Sequence, residues 1–245
     1  MPRPRFAADA GAAAHVLVPE LSDELSVTGD DGHHLARARR LRAGETVTAA
    51  DGAGAWRPYV VRAATRAGLL LSACREAAIE PALVPALVVA FALTKGAKPD
   101  LVVQKATELG ADAIVPLYAS RSVRRPPDEP RAAAATARLR RIAREAAAQC
   151  RRARLPEIAD PVPLSSLGGR AGLVVAARDG ATPDALVDPP GGEWVLVVGP
   201  EGGLDPAELE ILGNPPGLAV GPHVLRAETA AVAATAALAV RRRSA

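Results

Sequence analysis

The sequence predicts an α/β domain with a mostly parallel sheet, preceded by a small β-barrel. Apolar runs of strand length alternate with helical patterns from residue 86 to residue 239, which is typical of parallel βαβ units. Shorter alternating runs separated by hairpin turns fill the first 80 residues. The chain has 245 residues, enough for two such cores. We therefore expect a barrel domain at residues 1–80 and an α/β domain at 81–245.

The barrel is predicted from three strand-like runs, HVLVPEL, ETVTAADGAGAWRPYVVRAA and GLLLSACREA. Between the first two runs, a short helix is expected to open at Asp31 and to stop at Gly44. A linker bracketed by Pro81 and Pro85 is expected to follow. The body of this segment contains only two aromatic residues that could stack on bases, Trp56 and Tyr59. If the barrel binds RNA, recognition would therefore depend on the shape and charge of its surface.

The α/β part opens with residues 86–93, a run that is apolar enough for a strand buried on both faces. A helix capped by Asp100 and ended by Gly110 follows, and a second strand is expected at 113–117. A further strand is expected at 172–176. Between these last two strands, a long helix is predicted whose buried stripe is Leu139, Ile142, Ala146 and Gln149.

The stretch Glu193–Leu212 is predicted to join a strand, a glycine-rich loop and a helix. Its first part is short, apolar and rich in β-branched residues, which favours a buried strand. The loop GPEGG follows. Asp205 is suited to cap the next helix, Pro206 to its first position, and Glu208 to a capping box.

Loops of this kind at the carboxyl edge of an α/β sheet often hold small ligands. The glycine spacing here matches neither a dinucleotide fingerprint nor a P-loop. Glu201 in the loop would repel a phosphate, whereas it suits a ligand with hydroxyl groups or positive charge, such as S-adenosylmethionine. A plain strand-to-helix turn is the alternative.

The charge is uneven along the chain. Residues 121–154 contain eleven Arg and three acidic residues, which is the pattern of an RNA-backbone contact or of a solvated helix face. All three lysines, Lys95, Lys98 and Lys105, fall within eleven residues of a chain with 27 Arg. This cluster indicates positions that need a compact point charge, although an ion pair of Lys105 with another element would also explain that residue.

Other features narrow the class of protein. No apolar run is long enough to span a membrane, and the first residues lack the hydrophobic stretch of a signal peptide, so we expect a cytoplasmic protein. Cys74 and Cys150 lie far apart without a metal-binding spacing, so we expect no metal site.

Two loops near the carboxyl end carry a family resemblance. GPEGG at 199–203 is followed by LRAETA at 225–230, and together they resemble the knotted SPOUT methyltransferases. More narrowly, the chain is similar to the family that methylates uracil N3 in 16S ribosomal RNA. The match extends to other motif residues: Lys95, Gly96, Gln104, Lys105, Glu108, Leu109, Gly110, Pro116, Arg121, Ser122, Glu145, Ala146, Gln149, Arg152 and Pro156.

The amino-terminal segment resembles the PUA-like domain of the same family through Arg40, Gly44 and Glu45. Two positions depart from the family pattern. Arg39 stands where an apolar residue is usual, and His223 stands where Arg is usual.

The resemblance implies a fold and a reaction. It implies a trefoil knot, a homodimer, S-adenosylmethionine as cofactor, no metal, and a uridine near the 3′ end of 16S rRNA in the small ribosomal subunit as substrate. Cofactor contacts are expected from both loops, at Val198, Gly199, Glu201, Gly202, Val220, Gly221, Val224, Leu225 and Thr229. RNA contacts are expected from Arg37, Arg40, Arg124 and Arg125.

Methylation at N3 requires loss of a proton and stabilisation of negative charge on O2 and O4 of the base. Fixed cations suit the second task, and the candidates are Arg226, Arg121, Arg152 and Lys95. The available carboxylate bases are Glu201, Glu228 and Glu108, and the sequence does not choose among them.

Two other functions stay open. One is a SPOUT enzyme that methylates a ribose 2′-hydroxyl in tRNA or rRNA, against which the barrel and the Q-x-x-R motif argue. The other is a non-catalytic RNA-binding or ribosome-assembly factor, against which the intact GPEGG and LRAETA loops argue.

Overall fold

The structure is a computed structural model that describes residues 6–33, 35, 41–65, 67–94, 98–122 and 129–244. The chain forms two compact units. The first contains residues 1–82 and 147–155, and the second contains residues 83–146 and 156–245. No sequence signal indicated that residues 147–155 belong with the amino-terminal residues.

The first unit is built on one mixed sheet. Its strands are β1 (Ala14–Leu17), β2 (Glu24–Val27), β3 (Thr46–Ala50), β4 (Ala55–Thr65), β5 (Gly68–Ala73) and β6 (Ala78–Ile79), and a short helix α1 covers Gly29–His33. The strand order is β1-β3-β4-β5-β2, with β6 beside β4. Only β1 and β3 pair in parallel among the described strands of this sheet. The predicted strand regions are confirmed, and β2 is an addition to them.

The two aromatic residues of the barrel belong to its core. Tyr59 is 0% exposed, and its hydroxyl donates a hydrogen bond to the carbonyl of Ser22 at 2.9 Å. Trp56 is 6% exposed and packs with Leu17 and Ala147. The expectation that these rings are available for base stacking is therefore wrong, because both rings are buried, on opposite faces of β4.

A buried histidine holds residues 147–155 within the first unit. His15 Nε2 lies 3.1 Å from the carbonyl oxygen of Arg152, and Nδ1 lies 2.8 Å from the hydroxyl of Thr48. A carbonyl can only accept, so Nε2 carries the proton and Nδ1 accepts from Thr48. Burial lowers the pKa of His15 to about 4, and its ring is therefore neutral at pH 7.

The second unit contains a parallel sheet. Its strands are β8 (Ala86–Ala92), β9 (Ala113–Tyr118), β10 (Glu157–Ile158), β11 (Val162–Pro163), β12 (Leu173–Ala181), β13 (Glu193–Val198) and β14 (Gly217–Leu218). The order is β10-β9-β8-β13-β12-β14, with β11 also beside β9, and the described pairs are parallel. This sheet confirms the α/β prediction. The trefoil knot stays a prediction.

Four helices accompany this sheet: α2 (Lys98–Glu108), α3 (Glu129–Cys150), α4 (Pro206–Ile211) and α5 (Ala227–Ala239). The predicted cap of α2 is wrong, because the described helix already begins at Lys98 and Asp100 lies within its first turn. The predicted stripe of α3 holds at Leu139 and Ala146, which are buried, but Gln149 is exposed. The buried face continues instead through Ala147.

The carboxyl-terminal residues pair and hydrogen-bond with other segments of the second unit. Residues 83–84, expected within a linker, form strand β7 (Leu83–Val84), which pairs antiparallel with β15 (Arg243–Ser244). The buried Arg242 donates hydrogen bonds to the carbonyls of Pro85 at 2.7 Å and Gly110 at 2.6 Å, and it pairs with Asp112. Each of these partners lies at an end of β8, α2 or β9.

Acidification should destabilise the first unit through His15. The folded-state pKa lies below the ordinary value of 6.5, so the unfolded chain binds the proton first as the pH falls. This group is stabilising above pH 6.5, and its contribution is lost between about pH 6.5 and pH 4. The loss amounts to about 3 kcal/mol of unfolding free energy.

The measurement is the unfolding free energy of the wild type and of His15→Gln by denaturant titration at several pH values. The gap between the two proteins should shrink by about 3 kcal/mol from pH 7 to pH 4. His33→Gln changes an exposed histidine of the same unit and should keep the wild-type pH dependence. A constant gap between wild type and His15→Gln would contradict the prediction.

Candidate active site

Parallel pairing places several functional loops at one edge of the second unit's sheet. The carboxyl ends of β8, β9, β13 and β14 lie at that edge, where ligands of open α/β sheets bind. A cleft opens there between the end of β8, the start of α2, the glycine-rich loop and the start of α5. Its lining residues are Phe91, Ala92, Thr94, Lys98, Val102, Val198, Gly199, Ala227 and Glu228.

A cluster of charges lies at this cleft. The ammonium group of Lys98 donates a hydrogen bond to the carboxylate of Glu201, and it lies 3.5 Å from Oε2 of Glu228. Hydrogen bonding to Lys98 lowers the pKa of Glu201, with a further contribution from the charge of Arg226. The same hydrogen bond raises the pKa of Lys98. Both shifts favour the ionised forms, so Lys98 and Glu201 form an ion pair at neutral pH.

Glu228 is the least satisfied member of this cluster. Its side chain is only 14% exposed. Oε2 is buried, and no described residue makes a hydrogen bond to it. Buried carboxylate oxygens are normally paired, because a lost hydrogen bond to such a group costs more than 1 kcal/mol. The cleft therefore offers an acceptor to a ligand that carries an N–H or O–H donor.

The glycine-rich loop after β13 folds as the sequence predicts. A Cβ at Gly199 would lie 3.1 Å from Cγ of Leu204, so a larger residue at the first position of the loop would require the Leu204 side chain to shift. At the other end, Oδ1 of Asp205 accepts from the amide of Glu208 at 2.8 Å, and Oε2 of Glu208 accepts from the amide of Asp205 at 2.9 Å. The predicted capping box, with Pro206 at the first helical position, is confirmed.

Residues 119–122, which follow β9, are bound to this loop. The amide of Ser120 donates to Oε1 of Glu208 at 2.7 Å, and its hydroxyl donates to Oδ2 of Asp205 at 2.6 Å. Arg121 donates to the carbonyl of Gly202 at 2.7 Å. The Ser120 hydroxyl is also the main reason that the pKa of Asp205 is lowered. The loop after β9 therefore holds the glycine-rich loop and α4 in place.

The predicted cofactor residues fall on the two loops. Val198 and Gly199 line the cleft, and Glu201 and Gly202 are exposed on the same loop. In the second loop, Val220, Gly221 and Leu225 are half-buried. By contrast, Val224 is 80% exposed and Thr229 is also exposed, so the described residues do not enclose these two side chains.

The predicted cationic residues are more scattered. Arg226 immediately precedes α5 and its charge acts on Glu201, so it lies at the cleft. Arg121 lies on the loop that supports residues 199–205. Arg152 belongs to the first compact unit. Lys95 and the predicted RNA contacts Arg37, Arg40, Arg124 and Arg125 lie outside the described residues.

Sequence reasoning missed two residues that shape this site. Lys98 was noted only as one of a lysine cluster, and that cluster was the signal that could have identified it. Ser120 carried no signal of its own. The capping box, however, leaves one oxygen of Asp205 and one of Glu208 free for a further donor, and Ser120 supplies both donors.

Comparison with known proteins decides the family. A model of the RNA methyltransferase domain matches residues 82–239, and a model of the RNA methyltransferase PUA domain matches residues 27–73. The ribosomal RNA small subunit methyltransferase E of Mycobacterium bovis is 37% identical over 234 residues, which cover 91% of this chain and 88% of that protein. The chain belongs to the ribosomal RNA small subunit methyltransferase E family.

Solved structures agree with membership in the methyltransferase E family. The methyltransferase E of Neisseria gonorrhoeae, bound to S-adenosylmethionine, has a TM-score of 0.79 at 25% identity and covers 92% of this chain and 96% of its own. A methyltransferase of Legionella pneumophila with bound SAM has the same score and identity and covers 97% and 98%. These matches confirm the predicted α/β fold of SPOUT type with a PUA-like amino-terminal domain.

Within the described ranges, no three His, Cys, Asp or Glu side chains come together in a way that could hold a metal ion. The helices in those ranges are all too short or too polar to cross a membrane.

Asp205→Ala should loosen the glycine-rich loop of this methyltransferase E family member. The change removes the cap of α4 and the acceptor for the Ser120 hydroxyl, and losing a helix cap alone typically costs about 1 kcal/mol. Amide hydrogen exchange of residues 199–212 should therefore become faster. Glu210→Ala, an exposed change in the same helix, should leave those rates unaltered. Equal protection in both variants would show that Asp205 does not hold the loop.

Proposed function

We propose that this protein uses S-adenosylmethionine to methylate N3 of a uridine near the 3′ end of 16S rRNA in the small ribosomal subunit. One observation carries the chemical part of the proposal. The cleft between the glycine-rich loop and α5 combines a buried carboxylate oxygen that accepts no hydrogen bond from a described residue with cations at its margin. The family's relatives are methyltransferases of small-subunit rRNA, which supports the choice of substrate.

The residues at the cleft fit the proposed cofactor. S-adenosylmethionine carries hydroxyl and amino donors and a sulfonium charge, and all of these suit carboxylate acceptors. Glu201 is an exposed carboxylate on the glycine-rich loop and supplies such an acceptor. Gly199, at the start of the same loop, lines the cleft. We propose that the cofactor is held by Val198, Gly199, Glu201, Gly202, Val220, Gly221, Val224, Leu225 and Thr229.

The protein's own task in the reaction is to handle charge. The bound cofactor would supply a methyl group on a sulfonium, which leaves as a neutral thioether without help from a metal. The nucleophile, N3 of uracil, must lose its proton, and negative charge then spreads to O2 and O4. Arg226, exposed at the start of α5, is placed to stabilise that charge. Arg121 keeps the glycine-rich loop in place and remains a second candidate.

The two predicted domains are given different roles in the proposal. We propose that residues 1–80 bind RNA and that residues 81–245 transfer the methyl group, in a cytoplasmic homodimer that acts on the small ribosomal subunit. Part of the arginine-rich helix α3 is already neutralised, since Arg138 pairs with Asp100 and Arg140 lies 3.4 Å from Asp160. Arg141 likewise lies 3.7 Å from Glu145, so RNA contact by this helix would require exchange of such pairs.

Nucleoside analysis tests the proposed reaction directly. 16S rRNA from a strain that lacks this protein should lack one 3-methyluridine, and adding the protein with S-adenosylmethionine to small subunits of that strain should restore it. Disappearance of a ribose 2′-O-methyl group instead would overturn the assignment of the base. If no nucleoside changes while the protein still binds rRNA, the non-catalytic alternative is favoured.

Arg226→Ala should abolish most turnover while cofactor binding persists. Removing one donor to a developing negative charge typically lowers the rate by about 10²- to 10³-fold. The single-turnover rate and the calorimetric Kd for S-adenosylmethionine are measured side by side. Arg170→Ala is the matched control, because Arg170 pairs with Glu193 at the opposite edge of the sheet. An unchanged rate in Arg226→Ala would remove Arg226 from the charge-stabilising role.

A further inference from the structure

We propose that Glu228 is the base that accepts the N3 proton of the target uridine. This inference rests on the proposed function and assigns the one role in it that the sequence leaves open. It makes Glu228 a catalytic residue, because its carboxylate would contact the reacting nitrogen.

The position of Glu228 is the first support. It is the second residue of α5 and lines the cleft together with Gly199, where the glycine-rich loop begins. Its side chain is 14% exposed, and its Oε2 is buried without a hydrogen bond from any described residue. A base needs an oxygen that is free before the substrate arrives and lies inside the pocket, and Oε2 of Glu228 meets both conditions.

The other two carboxylates considered as bases are already engaged. Glu201 accepts a hydrogen bond from Lys98, and this bond lowers the pKa of Glu201 and makes it a weaker base. Glu108 accepts from Lys105 at 2.8 Å and from Gln104 at 3.0 Å, both on its own helix. Among the three, Glu228 alone has a buried oxygen that the described residues leave without a hydrogen bond.

Lys98 attracts the Glu228 carboxylate and still leaves Oε2 open to a hydrogen-bond donor. Its ammonium nitrogen lies 3.5 Å from Oε2, close enough for an attractive charge interaction, while its hydrogen bond goes to Glu201. This attraction keeps the Glu228 carboxylate beside Lys98 at the cleft. A place in the first turn of a helix is also favourable for a negative charge. Neither the charge of Lys98 nor the position in the helix gives Oε2 a hydrogen bond.

The proposed step balances in atoms and charge. The N3–H bond breaks and its proton moves to Oε2 of Glu228, while the electron pair on N3 forms the new bond to the methyl carbon. The bond between that carbon and the sulfonium breaks, and its electrons stay on sulfur. Before the step, the cleft contains a sulfonium cation and the Glu228 carboxylate; after it, both are neutral. No net charge has to enter or leave a partly buried site, where an uncompensated charge would be costly.

Glu228→Gln tests the assignment, because it keeps the shape of the side chain and removes the base. At neutral pH its single-turnover rate should fall by about 10²- to 10⁴-fold, the usual contribution of a general base. The calorimetric Kd for S-adenosylmethionine should stay within about threefold, since cofactor binding does not need the proton acceptor. The rate of the variant should rise about tenfold per pH unit in alkaline solution, as hydroxide replaces the missing base.

Two variants serve as controls. Glu210→Gln alters an exposed carboxylate of α4 and should behave as the wild type in rate and in pH profile. Glu228→Asp retains a carboxylate at the site and should recover part of the rate lost in Glu228→Gln without acquiring its alkaline rise. Equal cofactor affinity in all variants also shows that the cleft is folded.

Two results would overturn the assignment. One is a Glu228→Gln rate equal to the wild-type rate. The other is a cofactor Kd weakened by more than tenfold with a normal rate at saturating cofactor, which would make Glu228 a cofactor contact instead. Failure of the proposed function is a separate result, since wild-type protein would then form no 3-methyluridine at all.

Discussion

The site depends on the parallel register of the central strands. β13 pairs with β8 residue for residue from Glu193 opposite Ala86 to Val198 opposite Phe91, and β12 and β14 extend the sheet in the same direction. Parallel strands end at the same edge, so the segments that follow β8, β9, β13 and β14 converge there. No residue of the cleft is close to all the others in sequence. The register thereby helps to bring Glu201 and Glu228 within ion-pair distance of Lys98.

Once these segments meet, their charges determine what the cleft can hold. The cleft combines two cations, Lys98 and Arg226, with two carboxylates, Glu201 and Glu228. The positive and negative charges are equal in number. Oε2 of Glu228, however, accepts no hydrogen bond from the residues that the structure describes. A phosphate would bring further negative charge to two carboxylates. A ligand with donors and a positive charge would instead complete the site, which agrees with a sulfonium cofactor and with a substrate that delivers a proton.

Local signals predicted the local parts of this structure. Strand β13 and the capping box at Asp205 and Glu208 depend on residues a few positions apart, so periodicity and capping rules suffice for them. The contacts that complete the site have another origin. Ser120 and Asp205 are 85 residues apart, and Lys98 and Glu201 are 103 residues apart. Such pairs depend on the order of the strands in the sheet. The patterns in a single sequence do not reveal that order. The error at Gln149 has the same cause, since the packing partners of a helix select its buried face.

A contact at the far ends of their helices also supports the approach of Lys98 to Glu228. Lys98 begins the described part of α2 and Glu228 lies in the first turn of α5, and the two helices pack together. Just beyond the end of α5, the buried guanidinium of Arg242 binds the carbonyl of Gly110, which follows α2, and the carbonyl of Pro85, which precedes β8. The two helices therefore run side by side in the same direction, joined at their carboxyl ends by one arginine. Because helices are stiff over this length, that buried contact helps to fix where the ammonium and the carboxylate meet at the cleft.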